Sequence, residues 1–97
     1  MEGHCTCQRL RYRVNVKPMI VHCCHCSWSQ RETGSAFAVN AVVESDAIDT
    51  VFGEAETVEL PTASGKGQLV TRCPHCKVAL WSQYGAGGST MSFVRVG

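Results

Sequence analysis

The sequence predicts a mainly β fold in a small single domain spanning residues 1–97. Three observations lead there. Apolar and polar residues alternate with a period of two in several short runs, the pattern of half-buried strands. Apolar residues nowhere recur at helical spacing for three turns. The chain has 97 residues, enough for one hydrophobic core and too few for two.

The elements follow in order. Leu10, Tyr12, Val14 and Val16 alternate with Arg9, Arg11, Arg13 and Asn15, and Pro18 ends that strand. A helical piece of one or two turns is expected over Ser27–Thr33, stopped by Gly34 in a left-handed terminus. Phe37, Val39, Ala41 and Val43 mark a strand from Ala36 to Val43, closed by a turn at Ser45-Asp46. Further strands are expected at Asp49–Phe52, Thr57–Leu60 and Gln68–Arg72, punctuated by Gly53, Pro61 and a hairpin tip at Ser64–Gly67. The last two, Val78–Tyr84 and Thr90–Val96, flank Gly85–Gly88. That makes about seven short strands. Phe37, Phe52, Trp81 and Phe93 are assigned to the core, and Trp28 is read as a packed indole.

Composition removes several function classes. Nine basic and eight acidic residues leave a formal net charge of +1, and Arg9, Arg11 and Arg13 form only a short basic stripe, so no nucleic-acid partner is expected. The longest apolar stretch, Met19-Ile20-Val21, is far short of the roughly 20 residues that span a bilayer, and the first residues lack a signal peptide's pattern. No membrane association and a cytoplasmic location are the expectations. Disulfides are rare in that compartment, and clustered thiols there point to metal or redox chemistry.

The chain carries seven cysteines, an odd number that intramolecular disulfides cannot exhaust. They fall into three groups, and His4, His22, His25 and His75 adjoin or lie between them. Cys5 and Cys7, one residue apart on an extended segment, project to the same side. Cys73-Pro74-His75-Cys76 is a knuckle that points two sulfurs at one centre. Together these four make a tetrahedral sulfur set suited to a structural zinc that ties an early strand to a late one. A redox-active Cys73–Cys76 pair is the rival, without the βαβ surroundings such a pair normally has. In the middle group Cys24 and Cys26 repeat the one-residue spacing. They supply two sulfurs, whereas a catalytic zinc usually has three protein ligands. Cys23, His22, His25 and the Ser29 hydroxyl are the candidates for the third, and free thiols lining a pocket are the competing reading. Arg31 is a candidate for a substrate carboxylate or an exposed structural arginine. Thr33 and Ser35 are expected to satisfy backbone groups near Gly34. On a twofold alternation His25 points away from the Cys24 and Cys26 sulfurs.

Gly3-x-Cys5-x-Cys7, then Cys24-His25-Cys26-x-x-Ser29-Gln30-Arg31-x-Thr33-Gly34-Ser35-Ala36-Phe37, then Cys73-Pro74-x-Cys76 resemble the glutathione-dependent formaldehyde-activating enzyme (GFA) family, which includes centromere protein V. The resemblance covers nearly the whole chain. It implies several short, coiled antiparallel β-sheets pinned by zinc on Cys5, Cys7, Cys73 and Cys76. It further implies a second, catalytic zinc on Cys24 and Cys26, whose third family ligand is a cysteine where this chain has Ser29. Longer members continue past the position of Gly97, and contacts made by that segment are expected to be absent. The implied activity is carbon–sulfur lyase chemistry joining formaldehyde to a small-molecule thiol such as glutathione. The alternative is a noncatalytic, zinc-stabilised binding module.

Overall fold

The computed structural model describes residues 2–61, 65, 67–84 and 91–96. Its strands are β1 (Glu2–His4), β2 (Arg11–Val14), β3 (Ile20–Cys24), β4 (Ala38–Glu44), β5 (Ile48–Phe52), β6 (Glu56–Leu60), β7 (Gln68–Arg72), β8 (Ala79–Tyr84) and β9 (Met91–Arg95). One helix, α1 (Ser27–Thr33), joins β3 to β4, and a 3-10 turn at Ser45–Ala47 joins β4 to β5. The strands form two antiparallel sheets, a three-stranded one in the order β1-β2-β5 and a six-stranded one in the order β3-β4-β9-β8-β7-β6. The mainly β class is therefore as the residue pattern predicts, and the antiparallel pairing as the family resemblance implies.

The core lies where one sheet meets the other. Tyr12 and Val14 of β2 are buried while Arg11 and Arg13 face out, the period-two pattern expected there. With Leu10 they meet Val43 of β4, Leu80 of β8 and Val94 of β9. Tyr12 and Trp81 pack edge to face with centroids 5.3 Å apart. Cys5 and Cys73 are members of the same buried cluster, both fully inaccessible to solvent. One end of the hydrophobic core is thus made of sulfur.

Several expectations need correction. Phe37 and Phe52 are 43% and 60% exposed and take no part in the core. Phe52 ends an edge strand whose last four residues all face solvent, and Phe37 lies just before β4, against the His25 ring. Val16 is exposed because β2 ends at Val14. Trp81 does pack on the core, and Phe93 is half-buried against His22, with ring centroids 5.8 Å apart. Two strands were not anticipated. β1 has three residues and no apolar alternation, and β3 is an edge strand whose Ile20 and Val21 are both exposed, so neither shows a buried face in its sequence. Gly85–Gly88, and Ser64 and Lys66 of the expected tip at Ser64–Gly67, lie outside the described residues.

Gly53, at the end of β5, adopts φ 86° with its α-carbon pressed on the Arg9 carbonyl, where an added Cβ would overlap backbone oxygen. Both the dihedral and the contact exclude a side chain. Gly53→Ala is expected to destabilise the fold by about 2 kcal/mol or more, read as a lowered urea midpoint at unchanged slope. A midpoint within error of the parent would contradict this packing.

Candidate functional site

The first site is built by two loops of the same design. One runs from Cys5 to Leu10 between β1 and β2, the other from Cys73 to Val78 between β7 and β8. Each is closed by the N–H of its first cysteine donating to the carbonyl of its last residue, Cys5 to Leu10 at 3.1 Å and Cys73 to Val78 at 3.1 Å. A second bond returns to the first cysteine's carbonyl, from the N–H of Gln8 at 3.1 Å and of Lys77 at 2.9 Å. Gln8 and Lys77, each directly after the second cysteine of its loop, have φ of 63° and 66°. Two non-glycine residues in the left-handed region is an uncommon feature, and it turns the chain back so that both sulfurs of a loop face the same point.

The two loops meet sulfur to sulfur. Cys5 Sγ lies 3.5 Å from Cys7 Sγ, which lies 3.6 Å from Cys73 Sγ, and the sulfurs of Cys5, Cys7, Cys73 and Cys76 all fall within 4.8 Å of one another. Zinc bound tetrahedrally at about 2.3 Å from each sulfur requires edges of about 3.8 Å. The donor set, its spacing and the complete burial of two members fit a structural metal of the zinc type. Backbone donors prepare the ligand form. Cys76 is drawn down to about 6, first by the Cys7 backbone N–H and next by that of Val78. In Cys5, burial raises the thiol, but the backbone of Leu10 and the thiols of Cys7 and Cys73 outweigh it and lower the group. Cys7 is pushed up to about 11: the Arg9 backbone lowers it, but burial and the Cys5, Cys73 and Cys76 thiols prevail. Beside the cluster the Arg9 guanidinium donates to Nδ1 of His75 at 3.1 Å, which occupies that ring with a surface partner.

The second site sits where β3 hands over to α1. Cys26 is the N-cap of the helix, and its sulfur accepts the Ser29 backbone N–H at 3.4 Å. Two residues earlier, Cys24 closes β3 with its sulfur 3.5 Å from that of Cys26. Ser29, buried on the first turn, places its Oγ 3.2 Å from Cys24 Sγ and 3.3 Å from Cys26 Sγ. Two thiols and a hydroxyl thus form a nearly equilateral triangle. The hydroxyl has one proton and serves one sulfur at a time. Cys26 is lowered to about 7, chiefly by the Ser29 hydroxyl, then by the Ser29 N–H and the Cys24 thiol.

The other candidates for a third ligand are placed elsewhere. Cys23 precedes Cys24 on a strand, so its side chain lies on the opposite face and is exposed. His22 packs edge to face on Phe93, and His25 tilts against Phe37 with centroids 5.6 Å apart. Among the described residues, the four-cysteine cluster is the one place where three or more His, Cys, Asp or Glu donors converge. The Cys24–Cys26–Ser29 triangle therefore lacks the third thiolate or imidazole of a usual catalytic zinc, and a neutral hydroxyl is a weak substitute.

The far side of α1 contributes a cleft of about 250 Å³ lined by Trp28, Arg31, Glu32, Leu60, Pro61 and Gln68. Trp28 is a half-buried pocket wall as well as a packed ring, with the Arg31 guanidinium 5.9 Å from its centroid. Glu32 is clamped by Arg95, whose other nitrogen donates to Asn40 Oδ1 at 2.8 Å, and receives Gln68 Nε2 at 3.4 Å. Gln68 Oε1 is buried with no hydrogen-bond partner among the described residues. These contacts join α1 to β4, β7 and β9; no local pattern in the sequence announces them. Thr33, Ser35 and Gly34 act as expected: Thr33 Oγ1 donates to the Ser29 carbonyl at 2.8 Å and accepts the Ser35 N–H at 3.2 Å, and Gly34 takes φ 68°.

Comparison with known proteins bears on these sites. A family model described as glutathione-dependent formaldehyde-activating enzyme matches residues 1–97. No curated protein matches the chain. A crystal structure of a Rhodobacter sphaeroides protein, a structural-genomics target, is similar with a TM-score of 0.71 at 18% identity, over 99% of this chain and 84% of that one. That likeness shows the fold.

Protein purified without added metal is expected to carry at least one equivalent of zinc per chain, and Cys73→Ser to lose both that metal and cooperative unfolding. Structural zinc sites contribute on the order of 10 kcal/mol to small domains. Folded protein with less than half an equivalent would refute the assignment. At the second site, the thiolate of Cys26 grows as pH rises through about 7, so its alkylation rate should rise through the same range. Ser29→Ala removes the largest lowering contact and should move that inflection towards the ordinary thiol value. An unmoved inflection in peptide-resolved alkylation would exclude the hydroxyl as the cause.

Proposed function

The chain belongs to the glutathione-dependent formaldehyde-activating enzyme family, and on that premise we propose that it catalyses carbon–sulfur lyase chemistry on a glutathione-type thiol adduct at Cys24, Cys26 and Ser29. The observation that carries this is the triangle itself: two thiols and a buried hydroxyl within 3.5 Å, with Cys26 lowered to about 7. A zinc held by Cys5, Cys7, Cys73 and Cys76 supplies structural cross-linking alone, since four thiolates leave no open position for substrate. No step is assigned to a second metal, because the donors at the triangle do not fit one.

In the direction of adduct formation, the Cys26 thiolate accepts the proton of the incoming thiol. The substrate sulfur then forms a bond to the aldehyde carbon, and the carbonyl π pair moves onto oxygen. The Ser29 hydroxyl, 3.3 Å from Cys26 Sγ, is placed to donate to that oxygen, and the proton on Cys26 completes the hydroxymethyl product. In reverse, the carbon–sulfur bond breaks and the same groups exchange roles. The cleft on the other side of α1 is assigned to the body of the thiol, with Arg31 facing a carboxylate and Gln68 Oε1 accepting an amide or ammonium hydrogen. The small-molecule thiol partner rests on the chemistry of that lining.

The second reading, a noncatalytic binding module, is favoured by one observation, the hydroxyl of Ser29 where the family pattern has a thiol. Exchange spectroscopy with glutathione and formaldehyde separates the two. The parent chain is expected to accelerate adduct exchange, and Cys26→Ala to reduce the acceleration by about 100-fold, the usual weight of a positioned acid–base group. Equal rates for the parent chain, Cys26→Ala and buffer would establish the binding module instead.

A further inference from the structure

The Cys24–Cys26 pair, which the lyase reading uses for proton transfer, also has a geometry suited to a second chemistry. Its sulfurs are 3.5 Å apart and need to close to about 2.05 Å for a disulfide, a movement that side-chain rotation and a small backbone adjustment supply. The two thiols differ in access: Cys26 is exposed and Cys24 half-buried. An exposed thiol beside a protected partner is the arrangement of an attacking and a resolving cysteine. Ser29 supports both stages, since its backbone N–H points at Cys26 Sγ and its hydroxyl lies within reach of either sulfur. No third thiol competes, because Cys23 is on the other face of β3 and position 29 is a serine.

We propose that Cys24 and Cys26 form a thiol–disulfide exchange centre whose substrate is the disulfide of a low-molecular-weight thiol, glutathione disulfide being the type. Cys26 Sγ, as the thiolate, attacks one sulfur of the substrate disulfide. A Cys26–glutathione bond forms, the substrate S–S bond breaks, and one glutathione thiolate leaves and takes up a proton. Cys24 Sγ, giving its proton to solvent, then attacks Cys26 Sγ and expels the second glutathione thiolate. The protein loses two electrons, and one glutathione disulfide becomes two molecules of glutathione. Run backwards, excess glutathione restores the dithiol. Oxidation also weakens the helix cap, because a disulfide sulfur accepts the Ser29 N–H less well than a thiolate does. This activity stands apart from the lyase reading, since it involves no aldehyde.

The test uses the full chain as purified, with its metal, equilibrated without oxygen in buffers of graded reduced and oxidised glutathione. Remaining thiols are trapped by alkylation and each cysteine-bearing peptide is weighed. As the oxidised fraction rises, the peptide holding Cys24 and Cys26 is expected to lose two hydrogens, with two glutathiones released per protein disulfide. In Cys24→Ser the reaction should stop at a mixed disulfide on Cys26, and in Cys26→Ser the oxidation rate should fall at least tenfold. Circular dichroism of each variant establishes that it is folded. Three results would overturn the proposal: both thiols still alkylated at every ratio, a mixed disulfide on Cys26 of the parent chain that never resolves, or glutathione confined to Cys23.

Discussion

Convergence of two cysteine loops on one point is the constraint on which the rest of this structure depends. Cys5 and Cys7 leave the three-stranded sheet, and Cys73 and Cys76 leave the β7–β8 hairpin of the six-stranded sheet. With a metal bound, the sulfur cluster would therefore cross-link layers that also meet through Tyr12, Val43, Leu80 and Val94. A chain of this size buries a modest fraction of its surface, and a metal at that position replaces core that the sequence is too short to supply. The left-handed residues Gln8 and Lys77 belong to the same economy of parts: each stores local backbone strain that the clamp offsets.

With the layers held, the helix α1 can be presented from the edge of the large sheet. It has only seven residues and is too short to be stable alone. Its start is capped by Cys26, its end by Gly34, and the flank facing the large sheet is pinned through Glu32 to Arg95, Asn40 and Gln68. A partly buried ion pair contributes little net stability by itself, but it sets where a short helix sits. That placement puts Ser29 against the two sulfurs on one side and Trp28 and Arg31 over a cleft on the other.

One residue then determines the chemistry open to the middle cluster. A thiol at position 29 would complete three sulfurs around one centre. Ser29 instead contributes a hydroxyl and a backbone N–H, so Cys26 is favoured as thiolate without being sequestered by a third thiolate. The lyase reading and the exchange reading both draw on that property.

Much of this was legible in the residues. The alternation of Tyr12 and Val14 with arginines, the strand at Gln68–Arg72, the Gly34 stop, and the spacings within Cys5–Cys7 and within Cys73–Cys76 all follow from local periods, because each is written within a few residues. The exposed positions of Phe37 and Phe52, the edge strands β1 and β3, and the Glu32–Arg95 clamp were not legible, since burial and pairing depend on what arrives from elsewhere in the chain. The sequence by itself determined which side chains carry metal and thiol chemistry, for ligand type and spacing are local properties. Only the tertiary structure decided which of them share a centre: the pleat of β3 turns Cys23 away while the first turn of α1 brings Ser29 in, and strand alternation against helical return cannot be weighed until both elements are in place.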